Sequence, residues 1–304
     1  MTAALKRTPP PTHIGLFDNI DEERLERIWT PFWLNYPEGT RALEYLARLL
    51  KQPKSHRPQS CLIIADPAAG KTALAKQFVK TVNPEFTGKG EGRTMPVVYV
   101  QAPPNGNAAL LYTAILESIG APHRPTWLMN RKIFELQNLL PKLGTRMLIV
   151  DELHHILAGT VRDRSVFLNV LKSLSSEFGI PIVGIGTKEL LRAMHTDEQF
   201  ASRFEPYRLK QWNADEDYAR FLVQLCRHAG FKDTSAVKQK GFVRTIHRQS
   251  KGLTGEAWKL MSRLLEYAET QGSDKLDIGM LEKIGWVMPG ERRWMASQKP
   301  ERHA

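Results

Sequence analysis

The stretch Ser60-Cys61-Leu62-Ile63-Ile64-Ala65-Asp66-Pro67-Ala68-Ala69-Gly70-Lys71-Thr72 decides the fold of this chain. Its apolar residues Cys61 to Ile64 predict a short buried strand, and Leu74, Ala75, Phe78 and Val79 set a helical period after Gly70. Between strand and helix lies most of a P-loop, G-x-x-x-x-G-K-[ST], with Ala65 standing at the first glycine position. Strand–turn–helix is the shape the motif needs, because backbone N–H groups of the turn and of the helix N-terminus must face phosphate oxygens. Ala65, Asp66, Pro67, Ala68, Ala69, Gly70, Lys71, Thr72 and Ala73 are therefore the candidate nucleotide-binding residues. Lys71 is placed to reach the β- and γ-phosphates of ATP, and the Thr72 hydroxyl to hold Mg²⁺.

About eighty residues further on, Arg146-Met147-Leu148-Ile149-Val150-Asp151-Glu152 is an apolar run ending in two acids. Adjacent residues at a strand end point in different directions. Asp151 can thus serve the metal opposite Thr72 while Glu152 orients or deprotonates the attacking water. The next apolar run, Pro181 to Gly186, ends in Thr187, whose hydroxyl suits either a γ-phosphate contact or the N-cap of the helix that follows. Phosphoryl transfer commonly needs a further cation, often an arginine from a neighbouring subunit. Arg203 is the leading candidate, with Arg192 and Arg208 behind it. The neighbours His154 and His155 lack Cys/His partners at ligand spacing, so they are assigned to a helix surface or to packing. Trp127 is assigned to the core.

The chain of 304 residues is 42% hydrophobic and 25% charged, which suits a globular protein with a sizeable core. No run reaches the length of a membrane span, and the N-terminus lacks a signal pattern. Two cysteines, Cys61 and Cys226, cannot build a disulfide framework, so a cytoplasmic location is expected. Lys and Arg number 43 against 32 Asp and Glu, a net charge of +11 that suits a polyanionic partner. The excess concentrates in residues 227–251 and 121–146.

The expected organisation is a flexible Thr/Pro-rich arm over residues 1–15 and an N-terminal helical extension over 16–58. A nucleotide-binding α/β domain follows over 59–210, then a small all-helical lid over 211–288 and a basic tail over 289–304. Helices alternating with apolar strands predict a parallel sheet covered on both faces, with ligands at the carboxyl ends of the strands. Tyr36 and Pro37 open a helix of the extension and are candidates for the wall of an adenine pocket.

Taken together, the modified P-loop, Asp151-Glu152, Gly186-Thr187 and Ser202-Arg203-Phe204-Glu205-Pro206 resemble an AAA+ ATPase, with parallel sheet sandwiched by helices and a helical lid. More narrowly, Leu153 to Gly159, Phe167 to Lys172, Ile180 to Thr187 and Arg203 to Pro206 resemble the TniB family of TnsC-like transposition regulators, over roughly residues 13–287. That resemblance implies a bacterial, nucleoid-associated protein that forms rings or filaments on double-stranded DNA when ATP is bound. It implies that such an assembly marks a target site and recruits a DDE transposase, with a target-selection protein as a further partner. Hydrolysis would disassemble or limit it. The resemblance further implies that Lys71, Thr72, Asp151, Glu152 and Thr187 bind or hydrolyse ATP, and that Arg203 reaches a neighbour's nucleotide. DNA-facing positions are expected at Arg131 and Lys132, and at Asn105 and Asn107 in the Pro103–Asn107 loop. Glu256 stands where many AAA+ proteins place an arginine, so slow hydrolysis is expected. Two other readings remain open: a helicase-loader-like ATPase with a preference for single-stranded DNA, and a nucleotide-binding scaffold that barely hydrolyses.

Overall fold

The computed structural model describes residues 21–84, 93–194 and 198–292. The expected arm, residues 16–20 of the expected extension and residues 293–304 of the expected tail lie outside them. The described chain forms two compact units, residues 35–211 and residues 21–34 with 212–292. The expected 16–58 extension therefore divides at Leu34. Helix α1 (Glu22–Trp29) buries Ile28 in the helical unit, whereas α2 (Pro37–Leu50) buries Ala42, Leu46 and Leu49 in the α/β unit.

The α/β unit continues with β1 (Ser60–Ile64), α3 (Lys71–Val82), β2 (Val97–Gln101), α4 (Ala108–Ser118) and α5 (Met129–Lys142). It ends with β3 (Met147–Asp151), α6 (Val161–Phe178), β4 (Ile182–Gly186), α7 (Lys188–Met194), α8 (Glu198–Ala201) and β5 (Phe204–Arg208). The five strands form one parallel sheet in the order β2-β3-β4-β1-β5. Strands β1, β3 and β4 are buried at every residue, which is why they read as unbroken apolar runs rather than as alternation.

Strand β5 was not expected from the sequence. Its Phe-Glu-Pro-Tyr-Arg is polar and carries Pro206, which a ladder tolerates only at an edge, and β5 is an edge strand. Helix ends follow local chemistry. Thr160 and Asp163 form a capping box at the start of α6, and Gly179 ends that helix with φ 65°. Gly184 in β4 is closely packed: a Cβ there would lie 2.7 Å from the side-chain tips of both Leu153 and Leu62, which would have to shift.

The helical unit adds α9 (Glu216–His228), α10 (Lys240–Ser250), α11 (Thr254–Thr270) and α12 (Met280–Lys283) to α1, around a core that includes Tyr218, Phe231, Phe242, Ile246 and Leu264. Within residues 275–286 only α12 is helical; Asp277 Oδ1 accepts the Gly279 N–H and Gly285 follows α12 with φ 56°.

Candidate nucleotide-binding site

Parallel pairing brings the carboxyl ends of β1, β3 and β4 side by side. Residues far apart in the chain therefore meet at one edge. Gly70 caps α3 in the left-handed region (φ 90°), turning the loop so that the helix N-terminus faces the strand ends. Lys71 is 8% exposed, and its Nζ donates to the carbonyls of Ala65 (3.1 Å) and Asp66 (2.9 Å). Burial holds the Lys71 ammonium below the usual lysine range, and the carboxylates of Glu152, Asp151 and Asp66 oppose that shift. Ala65 lies outside the left-handed region, so its place at the first glycine position brings no backbone strain there. The strain falls on Ala68, with φ 61°.

The Thr72 hydroxyl donates to Asp151 Oδ2 at 2.7 Å, across 79 residues of sequence. Asp151 is fully buried, and its carboxylate also accepts from the Tyr99 hydroxyl (2.8 Å) and the Glu152 N–H (2.7 Å). An alcohol and a carboxylate in contact form an all-oxygen donor set suited to a hard cation such as Mg²⁺, and the Lys71 cation beside them suits phosphate. Both implied ligands fit the residues present. Asp66 is tied at Oδ2 to Lys188 Nζ (3.0 Å) and Gln211 Nε2 (2.6 Å), which fastens the P-loop to the segments after β4 and β5.

Glu152 follows Asp151 with φ 53° and ψ 32°, and its Oε2 lies 3.3 Å from His154 Nε2. His154, assigned above to surface or packing, thus sits at the site, while His155 Nδ1 lies 3.3 Å from the Ala102 carbonyl oxygen. Thr187 precedes α7 at the same edge, and its hydroxyl bonds the Glu189 carboxyl, holding that group below the usual carboxylate range. The start of α2 also reaches this edge: Glu38 Oε1 accepts from the Tyr207 hydroxyl (3.3 Å) and from Lys210 N–H (3.4 Å). Tyr36, one residue before Pro37, is buried against Gly39.

Arg203 lies elsewhere. Its carbonyl accepts from Ser60 N–H (3.0 Å) and its Nη1 donates to Ser176 Oγ (3.0 Å), so it sits at the amino edge of the sheet. Five strand residues, about 16 Å, separate that edge from the P-loop. Arg131 is exposed, its guanidinium 4.2 Å from the Trp127 ring centroid. Lys132 corrects the expectation of a DNA-facing cation: it is 3% exposed, and its Nζ donates to Thr113 Oγ1 (2.8 Å) and the Pro125 carbonyl (3.4 Å). Period decides the difference, because Lys132 falls with Leu136 and Leu140 on the inward stripe of α5. Asn105 and Asn107 are exposed, and Asn107 Oδ1 caps α4 by accepting from Leu110 N–H (3.1 Å).

Sequence reasoning missed Tyr99, Lys188 and Gln211. Only the position of Lys188, directly after Thr187, hinted at its place.

A five-stranded parallel sheet with a P-loop after β1 and an acid pair after β3 defines an AAA+ P-loop fold. Solved structures agree. The ORC2 protein of Aeropyrum pernix in its ADPNP–ADP complexes has a TM-score of 0.63 at 19% identity, covering 85% of this chain and 70% of that one. The Aeropyrum pernix ORC1 protein in complex with DNA gives 0.63 at 18%, covering 86% and 68%. Cdc6p from Pyrobaculum aerophilum gives 0.60 at 16%, covering 83% and 68%. The comparison with curated proteins finds no match. The family described as Bacterial TniB protein matches residues 24–214, and this chain belongs to the TniB family. Among the described residues, no helix is long and apolar enough to cross a membrane.

Proposed function

We propose that this chain is an ATP-hydrolysing regulator of DNA transposition that assembles on duplex DNA, recruits a DDE transposase and is released by hydrolysis. The observation that carries the hydrolytic part is the 2.7 Å contact between Thr72 and Asp151, with Lys71 and Glu152 at the same edge. Family membership supports the transposition part.

Lys71 and the N–H groups opening α3 hold the phosphates, and Tyr36 and Pro37 line the adenine side. Thr72 and Asp151 would hold Mg²⁺, which would supply charge neutralisation to the phosphates. Glu152 accepts the proton of the water that attacks the γ-phosphorus while the bond to the β–γ bridging oxygen breaks, giving ADP and phosphate. Thr187 hydrogen-bonds that water or the γ-phosphate. Arg203 cannot serve its own nucleotide from the amino edge, which supports its delivery to the site of a neighbouring copy in a ring or filament. Arg131, Asn105 and Asn107 face DNA, and a target-selection protein completes the assembly on the bacterial nucleoid.

Sedimentation of the protein with duplex DNA, in the presence of ATP, ADP or a non-hydrolysable analogue, tests this function. Large assemblies should need both duplex and ATP, vanish for Lys71→Ala and persist for Glu152→Gln. Monomers that bind DNA regardless of nucleotide would overturn it.

A further inference from the structure

The helical unit carries an aromatic groove that the hydrolytic scheme does not use. Trp29 ends α1, Trp258 lies near the start of α11 and Trp286 follows α12. The three indoles are half-buried, and with Lys259, Arg263 and Arg292 they line an open groove of about 620 Å³, within the range of ligand sites. Trp29 and Trp258 meet edge to face, with ring centroids 5.9 Å apart at 88°, which fixes both rings. Trp286 Nε1 donates to the Gln249 carbonyl (3.4 Å), and the Arg292 guanidinium lies 4.6 Å from the Trp286 ring centroid. Arg292 is further held by the buried Glu256 at 2.9 Å. Lys259 and Arg263 are different. They stand four residues apart on one face of α11, exposed, and neither has an ion-pair partner among the described residues.

The wall of the groove therefore combines two uncompensated cations with flat apolar faces. Among the described residues, no carboxylate, amide or hydroxyl side chain lines it, so its polar side chains only donate. A polypeptide segment brings backbone N–H groups, which would find no side-chain acceptor here. A phosphodiester chain brings acceptors alone, and unpaired bases bring the flat faces. Paired bases keep those faces inside the duplex stack. We propose that this groove is a binding site for single-stranded nucleic acid, separate from the duplex-facing positions proposed for the α/β unit. The indoles stack unpaired bases, while Lys259 and Arg263 hold the flanking phosphates.

The test uses the full chain without nucleotide, a fluorescein-labelled oligothymidylate and an excess of unlabelled duplex. Anisotropy should report binding that the duplex does not displace, and tryptophan emission should be quenched as bases stack. Trp258→Ala should weaken binding about 5- to 100-fold, the loss of one stack, and Trp258→Phe should weaken it far less. Lys259→Ala with Arg263→Ala should flatten the slope of log K against log salt by about 1.4, or about 0.7 for each phosphate contact. Should Trp258→Ala fail to fold, Lys259→Glu with Arg263→Glu changes only exposed positions and should weaken binding about 10-fold or more. Duplex binding should stay unchanged in every variant. Displacement of the oligothymidylate by duplex, or equal affinity in parent and variants, would overturn the site. Failure of the oligothymidylate to bind would overturn it too, and binding of a Glu- and Trp-rich peptide in its place would make the groove a docking surface for an acidic protein segment.

Discussion

The two edges of the one parallel sheet carry opposite parts of the proposed chemistry. At the carboxyl edge, Lys71, Thr72, Asp151, Glu152 and Thr187 come from three neighbouring strand ends, and Asp151 already bonds both the Thr72 hydroxyl and the Glu152 N–H. At the amino edge, Arg203 stands with its guanidinium bonded only to Ser176 among the described residues. The first edge is assembled from residues of one chain. The second offers a cation with no anionic substrate of its own chain within reach. This asymmetry is what a protein needs if its activity is to depend on assembly, because a complete site then exists only between copies.

The largest test of that contrast is Arg203→Ala. On the trans assignment, hydrolysis in the assembled state should fall by about 10³-fold or more, as for other arginines supplied across a subunit boundary. Nucleotide affinity of the isolated subunit should not change. Mixing Arg203→Ala with Lys71→Ala subunits should restore part of the activity, since each supplies the edge the other lacks. A loss of affinity in the isolated subunit would place Arg203 in its own site and break the comparison.

A smaller effect separates Arg131 from Lys132, which repeat the contrast within one helix. Lys132→Ala should cost about 1–3 kcal/mol in denaturant unfolding, because a buried donor and its packing are removed. Arg131→Ala should leave stability within roughly 0.5 kcal/mol and weaken duplex binding, with a flatter salt dependence. Equal effects of the two on DNA affinity would contradict the burial of Lys132.

The smallest concerns the P-loop turn. Ala68→Gly should stabilise the fold by roughly 1 kcal/mol, because Ala68 pays for a left-handed φ that glycine adopts freely. Ala65→Gly, by contrast, should not stabilise, since Ala65 needs no such freedom. Thermal unfolding of both variants reads the difference directly.

Much of the carboxyl edge was legible in the sequence. Cys61 to Ile64, Met147 to Val150 and Ile182 to Gly186 are apolar because both faces of a central parallel strand are covered, and a run of that kind announces its own end. Each run leads into its motif at the carboxyl end, so Gly70-Lys71, Asp151-Glu152 and Thr187 could be assigned to one edge from the sequence. Strand β5 was hidden because an edge strand has half its surface in solvent, and its Glu205, Pro206 and Arg208 reflect that. Lys132 was misjudged because charge was read by cluster, whereas helical period sends Arg131 and Lys132 to different faces. His154 was dismissed for lack of metal partners, and its actual neighbour, Glu152, is one that a left-handed backbone turn brings within reach.

The sequence by itself therefore determined the central strands β1, β3 and β4, the loop between β1 and α3 and the family, all of which rest on local period and short motifs. Only the tertiary structure decided that Thr72 meets Asp151, that Tyr99 donates to the same carboxylate, that Lys132 is core and that Arg203 faces away from its own P-loop. The physical reason is that such partners are chosen through space, by strand order and packing between segments tens of residues apart. No periodicity within either segment records which of its side chains another segment will bury.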